Sequence, residues 1–305
     1  MKKIVLRGPA TTANVGPGYD IFAMTLKEPY DKMVLELIND DKIIIEFDGD
    51  NQNIPVSIED NTAGLAIMEL KKKYKLNFGV KVTITKGMTS GCGLGTTGAS
   101  AASAIYGLNK LLNLNLPSNE LIDLARMGEI ASGGSPHADN VAAALLGGFI
   151  LVKSYNPIDV IKLDIPEFPV VLAVIKKNQR TTRGFITYEI GQEKLKEQMA
   201  RCARVICAIY TKDIEEFGKA ISKDYIAEPV RSAVITNYLD TKAKVLSAGA
   251  YGFNISGGGS SVISVCEEKK QEEIANIMEK GLKVNDNYVK IIKTTISSTG
   301  ICEML

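Results

Sequence analysis

Residues 91–98 read Gly-Cys-Gly-Leu-Gly-Thr-Thr-Gly, and no other stretch narrows the fold as much. Just upstream, Val80, Val82 and Ile84 alternate with Lys81, Thr83 and Thr85, which predicts a half-buried strand. A run of small residues from Ala99 to about Leu112 predicts a helix. Strand, glycine-rich turn and helix in that order bring backbone N–H groups and a helix N-terminus to one point, an arrangement that suits a phosphate. Thr96 and Thr97 add hydroxyls for a phosphate oxygen or a magnesium ion. Gly93, Gly95 and Gly98 also match the GxGxxG dinucleotide fingerprint. The acid-ended second strand that this fingerprint needs would fall at Leu114–Ser118, inside a helix–turn–helix pattern. A P-loop needs a lysine before its hydroxyl residue, and none is present. A structural glycine loop and a phosphate loop of another kind both stay open.

Four further segments carry candidate chemistry. Residues 9–20, Pro-Ala-Thr-Thr-Ala-Asn-Val-Gly-Pro-Gly-Tyr-Asp, place Asn14 and Asp20 on either side of a tight turn. That geometry aims an amide and a carboxylate at one small ligand, or merely caps an ordinary connection. Ile255–Ser261 is a second glycine loop between two expected strands. Glu129 is a candidate hard-cation ligand, with Asp139 and Asn140 close by in sequence. His137 is the single histidine, and no GxSxG elbow accompanies it, so a structural or capping role is favoured. Arg180, Arg183 and Arg231 are candidates for clamping a carboxylate, against the ordinary reading of solvated surface arginines.

Composition sets outer limits. The 305 residues carry 36 Lys+Arg against 35 Asp+Glu, which argues against sequence-independent nucleic-acid binding. The longest strongly apolar run, Val141–Val152, is 12 residues, short of the roughly 20 that a membrane span needs. The N-terminal residues reach Arg7 before any apolar run long enough for a signal peptide. Five scattered cysteines without CxxC spacing suit neither a zinc site nor a disulfide framework, so a cytoplasmic location is expected.

The length favours two domains. Strands are expected at 3–7, 31–38 and 42–48, and helices over 65–74 and 119–131. Gly147-Gly148 is expected to separate a helix from a strand, and Pro157, Pro166 and Pro169 mark a boundary. The second half predicts a strand at 170–176 and helices near 193–211, 213–222 and 239–248. Strand, helix and strand then follow to about 296, and the tail from 297 has no assigned role. Helices mixed with non-alternating strands point to an α+β fold.

Taken in order, residues 9–20, 91–100 and 255–261 resemble the three motifs of the GHMP small-molecule kinase superfamily. Within it, the chain is similar to the homoserine kinase family. Residues 13–20 resemble that family's Ala-Asn-Leu-Gly-Pro-Gly-Phe-Asp, and residues 137–142 its His-x-Asp-Asn-Val-Ala. Glu228-Pro229-Val230-Arg231 resembles its second substrate-arginine motif, and Arg183 falls near the first. The resemblance implies an N-terminal domain (1–160) like the second domain of ribosomal protein S5 and a ferredoxin-like C-terminal domain (161–305). It implies ATP and Mg2+ as cofactors, with Thr97 and Glu129 as metal ligands. Gly91, Gly93, Leu94, Gly95, Thr96, Thr97, Gly98 and Ser100 would surround the phosphates, with Lys86 beside them and Asn61 near the adenine. Asn14, Asp20, Asn140, Arg183, Arg231 and Gly257 would hold L-homoserine, and Asp139, Arg183 and Thr97 form the implied catalytic set. Asp139 stands where mevalonate-type relatives carry a catalytic Asp, whereas the homoserine branch implies little base catalysis.

The implied reaction is phosphorylation of the homoserine side-chain hydroxyl, a step of threonine biosynthesis, with no membrane or nucleic-acid partner and a homodimer as the family's assembly. The chain departs from the family pattern in three places: Thr96-Thr97-Gly98 for Ser-Ser-Ala, Gly258 and Ser260 in the third motif, and Thr187 where a proline is expected. A kinase for another hydroxy acid, such as mevalonate or pantoate, and a catalytically silent ligand-binding relative are the alternatives.

Overall fold

The computed structural model describes residues 2–50, 53–177, 186 and 189–304. Strand β1 (Lys3–Ala13) runs antiparallel to the long β2 (Phe22–Ile38), and the register shifts between Pro9 and Thr11. β3 (Ile43–Phe47) forms the sheet edge, parallel to β4 (Gly79–Thr85), which pairs antiparallel with the second half of β2. Helix α1 (Thr62–Tyr74) lies between β3 and β4 in sequence. α2 (Thr96–Leu111) packs on β1 and β2, with α1, α3 (Ser118–Gly128) and α5 (Asp139–Leu146) around it. A single turn, α4 (Ile130–Gly133), links α3 to the segment before α5. α2 is surrounded by protein, and its sequence explains why it fits. Ala99, Ala101, Ala102, Ser103, Ala104 and Gly107 are buried, and their small side chains let neighbouring elements approach closely. β5 (Phe149–Tyr155) pairs with the start of β2 and with β6 (Ile158–Leu163).

The second sheet is wholly antiparallel. β7 (Pro169–Ile175) leads through α6 (Gln192–Thr211), α7 (Ile214–Ile221), α8 (Glu228–Ser232) and α9 (Tyr238–Ser247) to β8 (Gly252–Ile255). β9 (Val262–Val265), α10 (Gln271–Leu282) and β10 (Tyr288–Thr295) follow. The spatial order is β10-β7-β9-β8, the 4-1-3-2 arrangement of a ferredoxin-like β-α-β-β-α-β unit with additional helices in its first crossover. β7 is buried on both faces. Val171, Ala173 and Ile175 join one core with Tyr238, Val245, Ile274 and Met278 from α9 and α10. Val170, Leu172 and Val174 join the other, with Val205, Phe217 and the side chains of the first sheet. Phe22, Phe149, Phe217 and Phe168 form a chain of ring contacts, at centroid separations of 5.1, 6.1 and 5.4 Å, that ties the two sheets together. The mixed α+β, two-unit architecture agrees with the expectation from sequence.

Several details differ. β2 is one strand from Phe22 to Ile38 rather than a strand confined to 31–38, because its first half pairs with the end of β1 and with β5. α2 begins at Thr96 rather than Ala99, so the end of the glycine loop forms the helix's first turn. β6 and α8 were not expected. The expected division at 160/161 falls inside β6, whose residues through Leu163 still pair with β5. The tail also has a place: β11 (Cys302–Glu303) returns to pair with Arg7 and Leu6 of β1. Among the described residues the first sheet thus has seven strands, drawn from both the N-terminal and the C-terminal parts of the sequence.

Candidate active site

The three glycine-bearing segments meet at one place. The Leu94 carbonyl accepts the Thr11 N–H (3.1 Å), and the Gly257 N–H donates to the Ala13 carbonyl (3.0 Å). Ser256 Oγ donates to the Gly93 carbonyl and lies 2.9 Å from Thr12 Oγ1. The close fit requires glycine at two positions. A Cβ on Gly93 would lie 2.4 Å from the Ser256 carbonyl oxygen, and one on Gly95 only 1.8 Å from Thr11 Oγ1. Both also have φ in the left-handed region, +78° and +64°. Gly95 is the N-cap of α2, so the N–H groups of Thr96, Thr97 and Gly98 open the helix without intrahelical partners. That is the geometry of an anion site.

The rest of the loop is fixed from beneath. Asp31 of β2 is buried and accepts the N–H groups of Gly87 and Met88, each at 2.9 Å. Its other oxygen is bound by Lys86 Nζ and accepts Thr96 Oγ1 (3.1 Å), and Lys86 also bonds Thr96. The Lys86 and Asp31 side chains are 2% and 5% exposed, so the ammonium is enclosed with its counter-ion. Ser100 Oγ donates to the Thr96 carbonyl within α2. Asn61 is the N-cap of α1. Its Oδ1 accepts the Ala63 and Gly64 N–H groups (3.0 and 3.3 Å), and its Nδ2 donates to the Pro55 carbonyl (2.8 Å). Gly91 lies at the loop's entry, where its carbonyl accepts the Lys177 N–H.

Glu129 and Asp139 are both buried, at the end of α3 and the start of α5. Burial pushes the Glu129 carboxyl up to about 7. A hydrogen bond from Thr97 opposes that rise and the Asp139 charge adds to it. Among the described residues, Glu129 Oε1 has no hydrogen-bond partner. Two carboxylates and a hydroxyl with an unsatisfied buried oxygen suit Mg2+, which takes one or two protein carboxylates and completes its shell with phosphate and water. Thr97, Glu129 and Asp139 therefore fit the metal. Asp139 Oδ1 also accepts the Asn140 N–H (2.7 Å), and Asn140 Oδ1 accepts Thr11 Oγ1 (2.7 Å). His137 lies in the segment before α5, its N–H bonded to the Ser135 carbonyl.

Opposite these, Asn14 Oδ1 accepts the Asp20 N–H (2.9 Å) and closes the turn, and the Tyr155 hydroxyl donates to the Asp20 carbonyl (2.9 Å). Arg231 of α8 donates from Nη1 to the Gly257 carbonyl (2.7 Å) and stacks over Tyr19, 5.3 Å from the ring centroid. Arg180 and Arg183 lie outside the described residues.

Four groups of residues escaped the sequence reading. Asp31 gave no signal because its partners lie 55 and 65 residues away. Gln198 of α6 donates to the Pro17 carbonyl and to Asp224, which in turn accepts the Ile226, Ala227 and Glu228 N–H groups and so sets the start of α8. Glu228, quoted only as part of a motif, accepts the Tyr238 hydroxyl and binds Lys242. Lys177 lies against the third loop, where a Cβ on Gly258 would be 2.6 Å from its Nζ.

Comparison with known proteins agrees with this geometry. Residues 61–148 match the GHMP kinases N terminal domain and residues 205–284 the GHMP kinases C terminal domain. A homoserine kinase of Methanococcus vannielii is 36% identical over 294 residues, covering 95% of this chain and 97% of that one. A homoserine kinase of Methanocella arvoryzae is 31% identical, with 96% of each covered. The crystal structure of homoserine kinase from Cytophaga hutchinsonii superimposes with a TM-score of 0.91 at 30% identity, covering 100% of this chain and 98% of that one. Mevalonate kinase of L. major, at 16% identity and a TM-score of 0.72, shares the fold alone. The chain belongs to the GHMP kinases, and within them to the homoserine kinase family.

Proposed function

We propose that the protein transfers the γ-phosphoryl group of ATP to the side-chain hydroxyl of L-homoserine, with Mg2+. The observation that carries this reading is the meeting of the α2 N-terminus, the Thr97–Glu129–Asp139 set and the Gly257 loop with Arg231 bonded to it. Bound MgATP supplies the transferable phosphoryl group and the cation charge that offsets its oxygens. The chain's contribution is position and fixed charge, which is what phosphoryl transfer mainly requires. The N–H groups at the start of α2 address phosphate oxygens, and Lys86 with Asp31 keeps that turn in place. Thr97 and Glu129 hold the cation, with Asp139 adding negative charge beside them.

Arg231 takes the acceptor's carboxylate, and Asp20 favours its ammonium. Asn14, Asn140 and Gly257 shape the remaining wall. Holding the acceptor at both ends aims its hydroxyl at the phosphoryl group, a proximity effect. Asp139 acts here through charge and through its bond to the Asn140 N–H, not as an obligatory base. The first sheet and its helices carry the nucleotide, nominally residues 1–160. The second unit, 161–305, supplies Arg231. The scattered cysteines favour a cytoplasmic setting.

The test is ADP release from MgATP with L-homoserine, L-threonine, L-serine, mevalonate, pantoate and a blank. Selective turnover of homoserine supports the reading. Preference for another acceptor overturns the substrate, and absence of turnover with every acceptor overturns the activity.

A further inference from the structure

We propose that Lys177 is a second cation of the acceptor site and holds the acceptor's carboxylate together with Arg231. This deepens the proposed function and rests on it. Lys177 lies two residues after the end of β7 and is tied to the phosphate loop through its N–H bond to the Gly91 carbonyl (3.0 Å). Its ammonium lies against Gly258, and Arg231 bonds the carbonyl of the adjacent Gly257. Two cationic side chains, one just after β7 and one on α8, therefore address neighbouring residues of one glycine loop. The groups that act electrostatically on Lys177 are Arg231, a like charge, and the Cys92 thiol.

Burial, and then the Arg231 charge, hold the Lys177 ammonium below the usual lysine range. A side chain kept under such strain gains most from an anion bridging it to the arginine. The position favours a carboxylate over phosphate oxygens. The helix N-terminus, which belongs to the phosphate, begins at Thr96 at the far end of the 91–98 loop, and Glu129 reaches that end through its hydrogen bond from Thr97. Lys177 instead joins the entry of that loop to the third loop, whose Gly257 carbonyl Arg231 binds.

The experiment compares wild type, Lys177→Met, Lys177→Gln, Lys177→Arg and Lys176→Met. Each receives L-homoserine and 3-aminopropan-1-ol, which keeps the hydroxyl and amine but lacks the carboxylate. Lys176 is the exposed neighbour and controls for overall charge. Losing a charged hydrogen bond predicts a fall of about 10–100-fold in kcat/KM for homoserine with Lys177→Met and Lys177→Gln. The fall should reside in KM, with Lys177→Arg recovering part of it and Lys176→Met matching wild type. The KM for ATP should stay within about threefold, and turnover of 3-aminopropan-1-ol should not respond to any Lys177 variant. An equal rise in the KM for ATP would assign the ammonium to the phosphates instead. An equal loss on the carboxylate-free acceptor, or a collapse of the thermal transition in both neutral variants, would make Lys177 structural. A wild-type chain that neither binds nor phosphorylates homoserine would overturn the function itself, and the same experiment reports that separately.

Discussion

Arg231 is 6% exposed, bonded to a backbone carbonyl and stacked on Tyr19, so its guanidinium is already oriented before any ligand arrives. Arg231→Ala should therefore raise the KM for the acceptor by about 10–100-fold while ATP affinity stays near wild type, read from initial rates with each substrate varied in turn. A parallel loss of ATP affinity would place the arginine at the nucleotide. Glu129 makes a pH-dependent prediction. Its folded pKa, about 7, lies above the ordinary value of 4.5, so the native state binds the proton more tightly than the unfolded chain does. Without metal, stability should fall as pH rises from about 4.5 to about 7, by a few kcal/mol at most, and level off above that. Apparent Mg2+ affinity should rise over the same range, because the metal competes with the proton. Melting curves at pH 5 and 7.5, with and without Mg2+ and nucleotide, check both signs. Glu129→Gln should flatten the metal-free profile and weaken the Mg2+ requirement's midpoint by more than about tenfold.

At the level of elements, the β4–α2 connection shows what holds a phosphate loop in shape. Lys86 and Asp31 form an enclosed ion pair that also grips Thr96 at the first turn of α2. Lys86→Met leaves a buried carboxylate without its cation, which predicts a loss of about 3–5 kcal/mol in urea unfolding along with weaker ATP binding. Unchanged stability with ATP binding alone impaired would mean that the ammonium serves the nucleotide directly. The glycines of this loop were legible in the sequence because their spacing between a strand and a helix has few other uses. Asp31 was not, because a lone acid in a strand pattern announces nothing until the fold brings Lys86 and Thr96 to it. The start of α2 was misplaced for a related reason. Thr96, Thr97 and Gly98 have weak helix propensity, yet the Gly95 cap and the packing of α2 make them its first turn. α8 escaped notice because its 5 residues have no hydrophobic period, and its position is set by Asp224 and Gln198.

Across the whole molecule, the two sheets share one core, and residues from both ends of the chain complete the first of them. The order β10-β7-β9-β8 could not be read from periodicity, since β7 is a continuous apolar run and β8 and β9 are 4-residue strands buried at every position. The role of the C-terminal residues was hidden for the same kind of reason: a 2-residue strand carries no pattern of its own. Phe217 stands at the junction, in ring contact with Phe149 of the first sheet and with Phe168 at the entry to the second. Phe217→Ala should cost about 3–5 kcal/mol and lower the melting temperature of both units together. Two separated transitions in calorimetry would show that the shared core is not what couples them. None of this architecture fixes the acceptor; only chemistry at the meeting of the three loops does. The most direct test is phosphorus NMR of the products formed from MgATP and L-homoserine. The account predicts ADP and the phosphate monoester of the side-chain hydroxyl in equal amounts, with neither formed when Mg2+ is removed. ADP accompanied only by inorganic phosphate, or no consumption of ATP, would contradict it.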